Sequence, residues 1–167
     1  MAFREISVEE LKDNPFTLIN KDWMLITAGN REKHNTMTAS WGGVGELWGR
    51  YVSTIYIRPQ RYTLEFVERE DYYSLCFFGP EYRQALNLCG SKSGREIDKD
   101  AATGLTPCFD ETAPYYEQAR LVFLCRKLYR QDLEEGCFLD KGLLEKWYDN
   151  DLHRMFIGEI VKVLEKE

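Results

Sequence analysis

The sequence predicts a mainly β fold, an antiparallel barrel with short inserted helices, and three observations carry that prediction. β-Branched and aromatic residues collect in short runs bounded by Gly, Pro and Asn. Those runs outnumber the segments with helical periodicity. The connections between them are too short for repeated strand–helix–strand units, which leaves antiparallel pairing. At 167 residues, with no repeat or Pro/Ser-rich linker, the chain reads as one domain over residues 1–167.

Residues Ser7 to Asn14 read as a short helix, with Ser7 as N-cap and Glu10 placed to complete a capping box. Trp23 to Ala28 is a strand, and Gly29-Asn30 turns the chain into a second strand from Asn35. That strand alternates: Thr36, Thr38 and Ser40 on one face, Met37, Ala39 and Trp41 on the other. Gly42, Gly43, Gly45 and Gly49 mark a loop carrying Trp48. Tyr51 to Arg58 is a strand ended by Pro59, which also suits the first turn of a helix running to Glu70. Tyr72 to Phe78 is a strand. A helix from Glu81 to Cys89 follows, with Tyr82, Ala85, Leu86 and Cys89 on one face and Gly90 as its stop. Beyond Ala113-Pro114 the chain is extended, most clearly over Leu121 to Tyr129. Lys141 to Tyr148 is a short helix, and Met155 to Leu164 is a final strand, apolar on both faces.

Composition narrows the functional classes. The net charge of −6, with no run of Lys or Arg, argues against a nucleic-acid binder. No apolar stretch is long enough to span a membrane, and the N-terminus lacks the apolar core of a signal peptide, so a cytoplasmic protein is expected. Five scattered cysteines without a C-x-x-C pair, and two histidines without ligand spacing, predict no metal site. Aromatics at 14% leave rings free to stack on a flat ligand.

The run Asn35 to Gly43, N-T-M-T-A-S-W-G-G, offers a ledge: hydroxyls on one side and glycines that permit close backbone approach. The same pattern also describes a half-buried edge strand ending in a turn. Arg58, Arg61 and Thr63 cluster at a strand-to-helix junction, where free N–H groups and guanidinium forks favour phosphate. Cys89 to Lys99, C-G-S-K-S-G-R-E-I-D-K, is either an anion cradle or a hydrophilic turn. Neither it nor the Gly42 region matches a P-loop or a dinucleotide fingerprint. His153 opens the last strand and is a candidate proton relay. His34, in a charged turn, is expected to be exposed.

In this order the segments resemble the flavin reductase-like family of FMN-binding split barrels, which includes the flavoredoxins. The residues that carry the likeness are Asn35 to Gly43, Ile57 to Thr63, Cys89-Gly90, Ser93-Gly94-Arg95, Asp98-Lys99, and His153 with Phe156 to Glu159. The resemblance implies a Greek-key split barrel, a homodimer, and FMN near the subunit interface. It implies that Asn35, Met37, Thr38, Ala39, Ser40 and Trp41 hold the flavin. Arg58, Arg61, Tyr62, Thr63, Ser93 and Lys99 would face the phosphate and ribityl chain, with His153 approaching from the last strand as the catalytic candidate. It further implies an NAD(P)H:flavin oxidoreductase using NADH or NADPH, or alternatively a flavoredoxin-like carrier serving a redox protein. Two positions depart from the family's pattern: Tyr51 replaces a common proline, and Arg154 a small or hydroxyl residue.

Overall fold

The computed structural model describes residues 2–167. Its strands are β1 (Phe3–Ile6), β2 (Met24–Gly29), β3 (His34–Ala39), β4 (Gly42–Leu47), β5 (Arg50–Ile57), β6 (Tyr72–Phe77), β7 (Pro107–Cys108), β8 (Tyr115–Tyr116), β9 (Leu121–Asp132) and β10 (Arg154–Lys166). Helices α1 (Pro15–Thr17), α2 (Thr63–Arg69), α3 (Arg83–Ser91), α4 (Lys99–Thr103) and α5 (Lys141–Trp147) are inserted between them. Among the described residues, eight strands form one antiparallel sheet in the order β3-β2-β6-β9-β10-β5-β4, with β1 also paired to β10.

The two ends of that order, β3 and β4, are consecutive in the chain and separated only by Ser40 and Trp41. Three Cα–Cα steps span at most about 11 Å, so the sheet must curl until its ends nearly meet. A barrel follows from chain connectivity alone. The long β10 strand holds it together: it pairs β9 along its length, β5 through Arg154 to Glu159, and β1 through Val163 to Lys166.

Period-two alternation sorts the side chains into two cores. On β2, Met24, Ile26 and Ala28 fill the barrel, while Leu25 faces outward under α3. On β9, Leu121, Phe123 and Cys125 point in, and Val122 and Leu124 point out. Strands covered on both faces read as continuous apolar runs. Inside the barrel, Gly158 makes room for Tyr73, whose hydroxyl would lie 2.4 Å from a Cβ at that position. Tyr73 shares a hydrogen bond with the Ser53 hydroxyl at 2.8 Å.

Several sequence expectations are corrected. The capping box at Ser7 forms, but it opens only a 3-10 turn, Val8–Glu10. The predicted loop at 42–49 is strand β4, joined to β5 by a tight hairpin with Trp48 and Gly49 at φ 57° and 69°. Helix α2 starts at Thr63 rather than Pro59. Gly90 does not stop α3, which runs on to Ser91. Lys99 opens helix α4 with Asp98 as its cap, where the sequence suggested a turn. The cysteines are free: Cys76, Cys89 and Cys125 are buried, Cys108 is half-buried and Cys137 is exposed.

Candidate functional site

Strand β3 is an edge of the sheet, hydrogen-bonded on one side to β2. The Thr36 carbonyl points away from β2, because it accepts from Lys99 Nζ at 2.6 Å. Outward and inward groups alternate along such a strand, so Thr38 turns its own N–H and C=O to the open edge. A cleft of about 430 Å³ runs along this edge, between residues 37–41 and the opposing Tyr56, Arg58, Arg61 and His153. A smaller cavity of about 190 Å³ adjoins it, lined in part by Asn35, Tyr62, Thr63, Ser93, Gly94 and Lys99. Met37, Gln60 and Arg61 line both.

The ledge therefore offers backbone more than hydroxyls. Thr36 is buried and shares its hydroxyl with Thr27 at 2.8 Å, and Thr38 donates to the Leu86 carbonyl on α3. The expected row of three free hydroxyls reduces to Ser40. Asn35 is also turned inward, donating from Nδ2 to Thr63 Oγ1 at 2.8 Å. A Cβ on Gly94 would come 2.0 Å from Asn35 Oδ1, so only glycine lets the 93–95 turn close on β3. Ser93 itself accepts from the Arg95 N–H.

The cations around these cavities differ in their partners. Arg58 is spoken for: Nη1 donates to Asp151 at 2.8 Å, Nη2 to the Trp147 carbonyl at 2.9 Å, and its guanidinium lies over Tyr148. Asp151 is held down to about 2, first by the Asp149 N–H, then by the Gln60 amide and Arg58. Arg61 donates to the Gly90 carbonyl at 2.9 Å, and no carboxylate pairs with it among the described residues. Burial lowers its pKa, and Arg58 adds repulsion. Lys99 is buried where Arg61 is half-buried; it is bonded only to the carbonyls of Thr36 and Cys89, and burial pushes it down to about 8. Two half-desolvated cations without a counter-charge are costly in isolation, and together they favour a bound anion.

His153 is buried at the other end of the main cleft, with Nδ1 bonded to the Tyr148 hydroxyl at 2.7 Å. Burial, with Arg58 nearby, pushes its pKa down to about 4, so it is neutral at physiological pH. It can donate or accept a hydrogen bond there, but it carries no standing charge. Trp41 meets His153 at 5.4 Å between rings and Trp147 at 5.0 Å, nearly perpendicular. Arg154 points elsewhere, to Asp132 and Glu68, so this departure from the family's pattern leaves the cleft untouched. His34 is not exposed as expected: Nε2 bonds Asp100 at 2.7 Å beside α4.

The structure thus gathers every sequence-selected residue around two adjoining cavities. Sequence reading missed Tyr56 and Gln60 in the lining, and Trp147, Tyr148 and Asp151 behind it. Tyr56 alone left a signal, as the polar-tipped ring between Ile55 and Ile57 on a strand.

These features define a class first: an antiparallel barrel whose open edge strand and uncompensated cations suit a flat, anionic ligand. Residues 17–167 match the model of the flavin reductase like domain. The chain belongs to that family. A search of curated protein sequences returned no match. Among solved structures, an FMN-binding domain of a flavin reductases-like enzyme from Shewanella baltica superposes with a TM-score of 0.70 at 14% identity, covering 98% of this chain and 77% of that one. Flavoredoxin from Methanosarcina acetivorans gives 0.68 at 21% identity, over 87% and 69% of the two chains. The NADH:FAD oxidoreductase of Streptomyces globisporus gives 0.63 at 14% identity, over 87% and 74%. At such identities the superpositions establish the shared split-barrel fold.

Proposed function

We propose that the chain is an FMN-binding flavoprotein that acts as an NAD(P)H:flavin oxidoreductase. The observation that carries FMN binding is the pair Arg61 and Lys99, two partly desolvated cations lacking carboxylate partners beside the Gly94–Asn35 cradle. A phosphate seated there restores the missing counter-charge. Arg61 borders both cavities, so phosphate in the smaller one places the attached ring system in the larger. There the outward N–H and C=O of Thr38 meet the polar edge of a flat heterocycle, and Trp41 packs against its face. When bound, FMN supplies the redox chemistry, taking a hydride from the nicotinamide. The protein orients the ring, excludes water with Met37, Tyr56 and Trp41, and presents neutral His153 as a hydrogen-bonding group.

The test is anaerobic mixing of FMN-loaded protein with NADH and, separately, NADPH. Rapid loss of the flavin's visible absorption with either supports the oxidoreductase. Absorption that persists with both, yet is lost with dithionite, identifies an electron carrier of the flavoredoxin kind instead. We also infer a homodimer. Phe16, 83% exposed, borders an apolar groove with Ile19, Trp41 and Val44 that adjoins the cleft. Burying it against a second copy removes a surface that water disfavours. Light scattering at micromolar concentration checks this. Free, mostly buried cysteines are in keeping with a reducing, cytoplasmic compartment.

A further inference from the structure

Between β9 and β10 the chain leaves the barrel over residues 133–153, an excursion that carries α5. No residue of α5 is fully buried; Leu143 and Trp147 on it, and Leu139 just before it, remain exposed. Packing alone therefore holds it weakly. Its fastenings, among the described residues, are few and converge on one place. Asp151 Oδ2 accepts from Arg58 Nη1 at 2.8 Å and from Gln60 Nε2 at 3.0 Å. The Trp147 carbonyl accepts from Arg58 Nη2 at 2.9 Å. The Tyr148 hydroxyl bonds His153, and the Trp147 ring stands edge-on to Trp41. Trp41, Arg58, Gln60 and His153 all line the main cleft. A segment serving only as a surface connection has no reason to direct its bonds there.

We propose that residues 133–152 form a cap packed behind the cleft wall, in which Trp147 sets the pose of Trp41 and so determines which second reactant is admitted, and Asp151 is the positioning residue that holds Trp147 in place. This rests on the flavin reading of the cleft. Trp147 stands behind the lining with its ring edge-on to Trp41 at 5.0 Å, and so fixes the apolar face that Trp41 turns to the cleft. Held in that pose, Trp41 leaves room for one planar ring, such as a nicotinamide or a quinone, and keeps a folded redox protein from close contact with whatever lies in the cleft. Arg58 acts as the hub: with Nη1 on Asp151 and Nη2 on the Trp147 carbonyl, it anchors the cap instead of serving as a free phosphate ligand. Asp151 bonds Arg58, Gln60 and the Asp149 N–H, and it does not itself line the cleft.

The cap is tested first without cofactor. In flavin-free protein, Asp151→Asn should speed tryptic cleavage at Lys141 and Lys146 by about fivefold or more, because cleavage follows the population of the opened segment. Asp151→Glu, which keeps the charge, should restore most of the protection. Cleavage rates equal to wild type in Asp151→Asn overturn the fastening. The second measurement uses FMN-loaded, dithionite-reduced protein reoxidised by cytochrome c or by p-benzoquinone. Trp147→Ala should raise the ratio of the two rates in favour of cytochrome c by about fivefold or more. Taking a ratio cancels any change in flavin loading. An unchanged ratio overturns the role of Trp147. Wild-type protein that takes up no FMN refutes the flavin reading instead, and the cleavage experiment still decides whether the cap is fastened by Asp151.

Discussion

Lys99 gives the sharpest quantitative handle on the phosphate site. In the flavin-free protein burial pushes its pKa down to about 8. Its titrating neighbours are Cys89, a thiol itself pushed up to about 11 by burial and hence neutral, and Arg61, which stays charged. A bound phosphate favours protonated Lys99, so binding must draw a proton onto the amine once the free protein has lost it. With the free value near 8, moving from pH 7 to pH 9 cuts the protonated fraction of the free protein about tenfold, while the phosphate keeps Lys99 protonated in the complex. The FMN dissociation constant should rise by the same factor, about 1.4 kcal/mol. Fluorescence titration of flavin-free protein at several pH values measures this directly. Riboflavin, which has the ring but no phosphate, is the control and should show no such slope. Lys99→Met should weaken FMN binding at pH 7 and flatten its pH dependence. A slope that riboflavin shares, or that survives in Lys99→Met, refutes the assignment of Lys99 to the phosphate.

Three further outcomes follow from the same geometry. Arg61→Ala should weaken FMN by about 1.5–3 kcal/mol, the range for a hydrogen bond to a charged group, while changing riboflavin affinity far less; paired titrations check it. Gly94→Ala drives a Cβ to 2.0 Å from Asn35 Oδ1, and the strain of overpacking, about 1–3 kcal/mol, should appear as lower FMN affinity together with a lower melting temperature. His153 has a folded pKa of about 4 against an ordinary 6.5, so the unfolded chain binds more protons between those values. Stability should therefore fall as pH drops through that window, by up to about 3 kcal/mol. Urea unfolding at pH 7 and pH 5 should show a loss in wild type that is smaller in His153→Asn.

The sequence exposed the elements whose periodicity is local. Strands β2, β6 and β9 stand out because Val, Leu, Phe and Tyr recur on both faces, and both faces are covered. The edge elements are harder to see. Strand β4 is rich in glycine and exposed, so its pairing with β5 depends on a partner rather than on its own residues. Strand β1 pairs with residues 163–166, a contact of such sequence separation that no local window contains it. At the site, side-chain type predicted position well but bonding poorly. Thr36 and Thr38 look like ligand-facing hydroxyls, yet α3 and the barrel claim them. Arg58 looks like a phosphate ligand, yet Asp151, 93 residues away, claims it. Lys99 was legible only through the family resemblance, since its burial arises from α4 folding back against β3.

The central claim, that this barrel holds FMN by its phosphate between Arg61 and Lys99, is tested most directly by titrating flavin-free protein with FMN and with riboflavin at pH 7. FMN should bind at least about tenfold more tightly, reflecting one or more charge-assisted hydrogen bonds to the phosphate. Equal affinities, or no binding of either flavin, would contradict it.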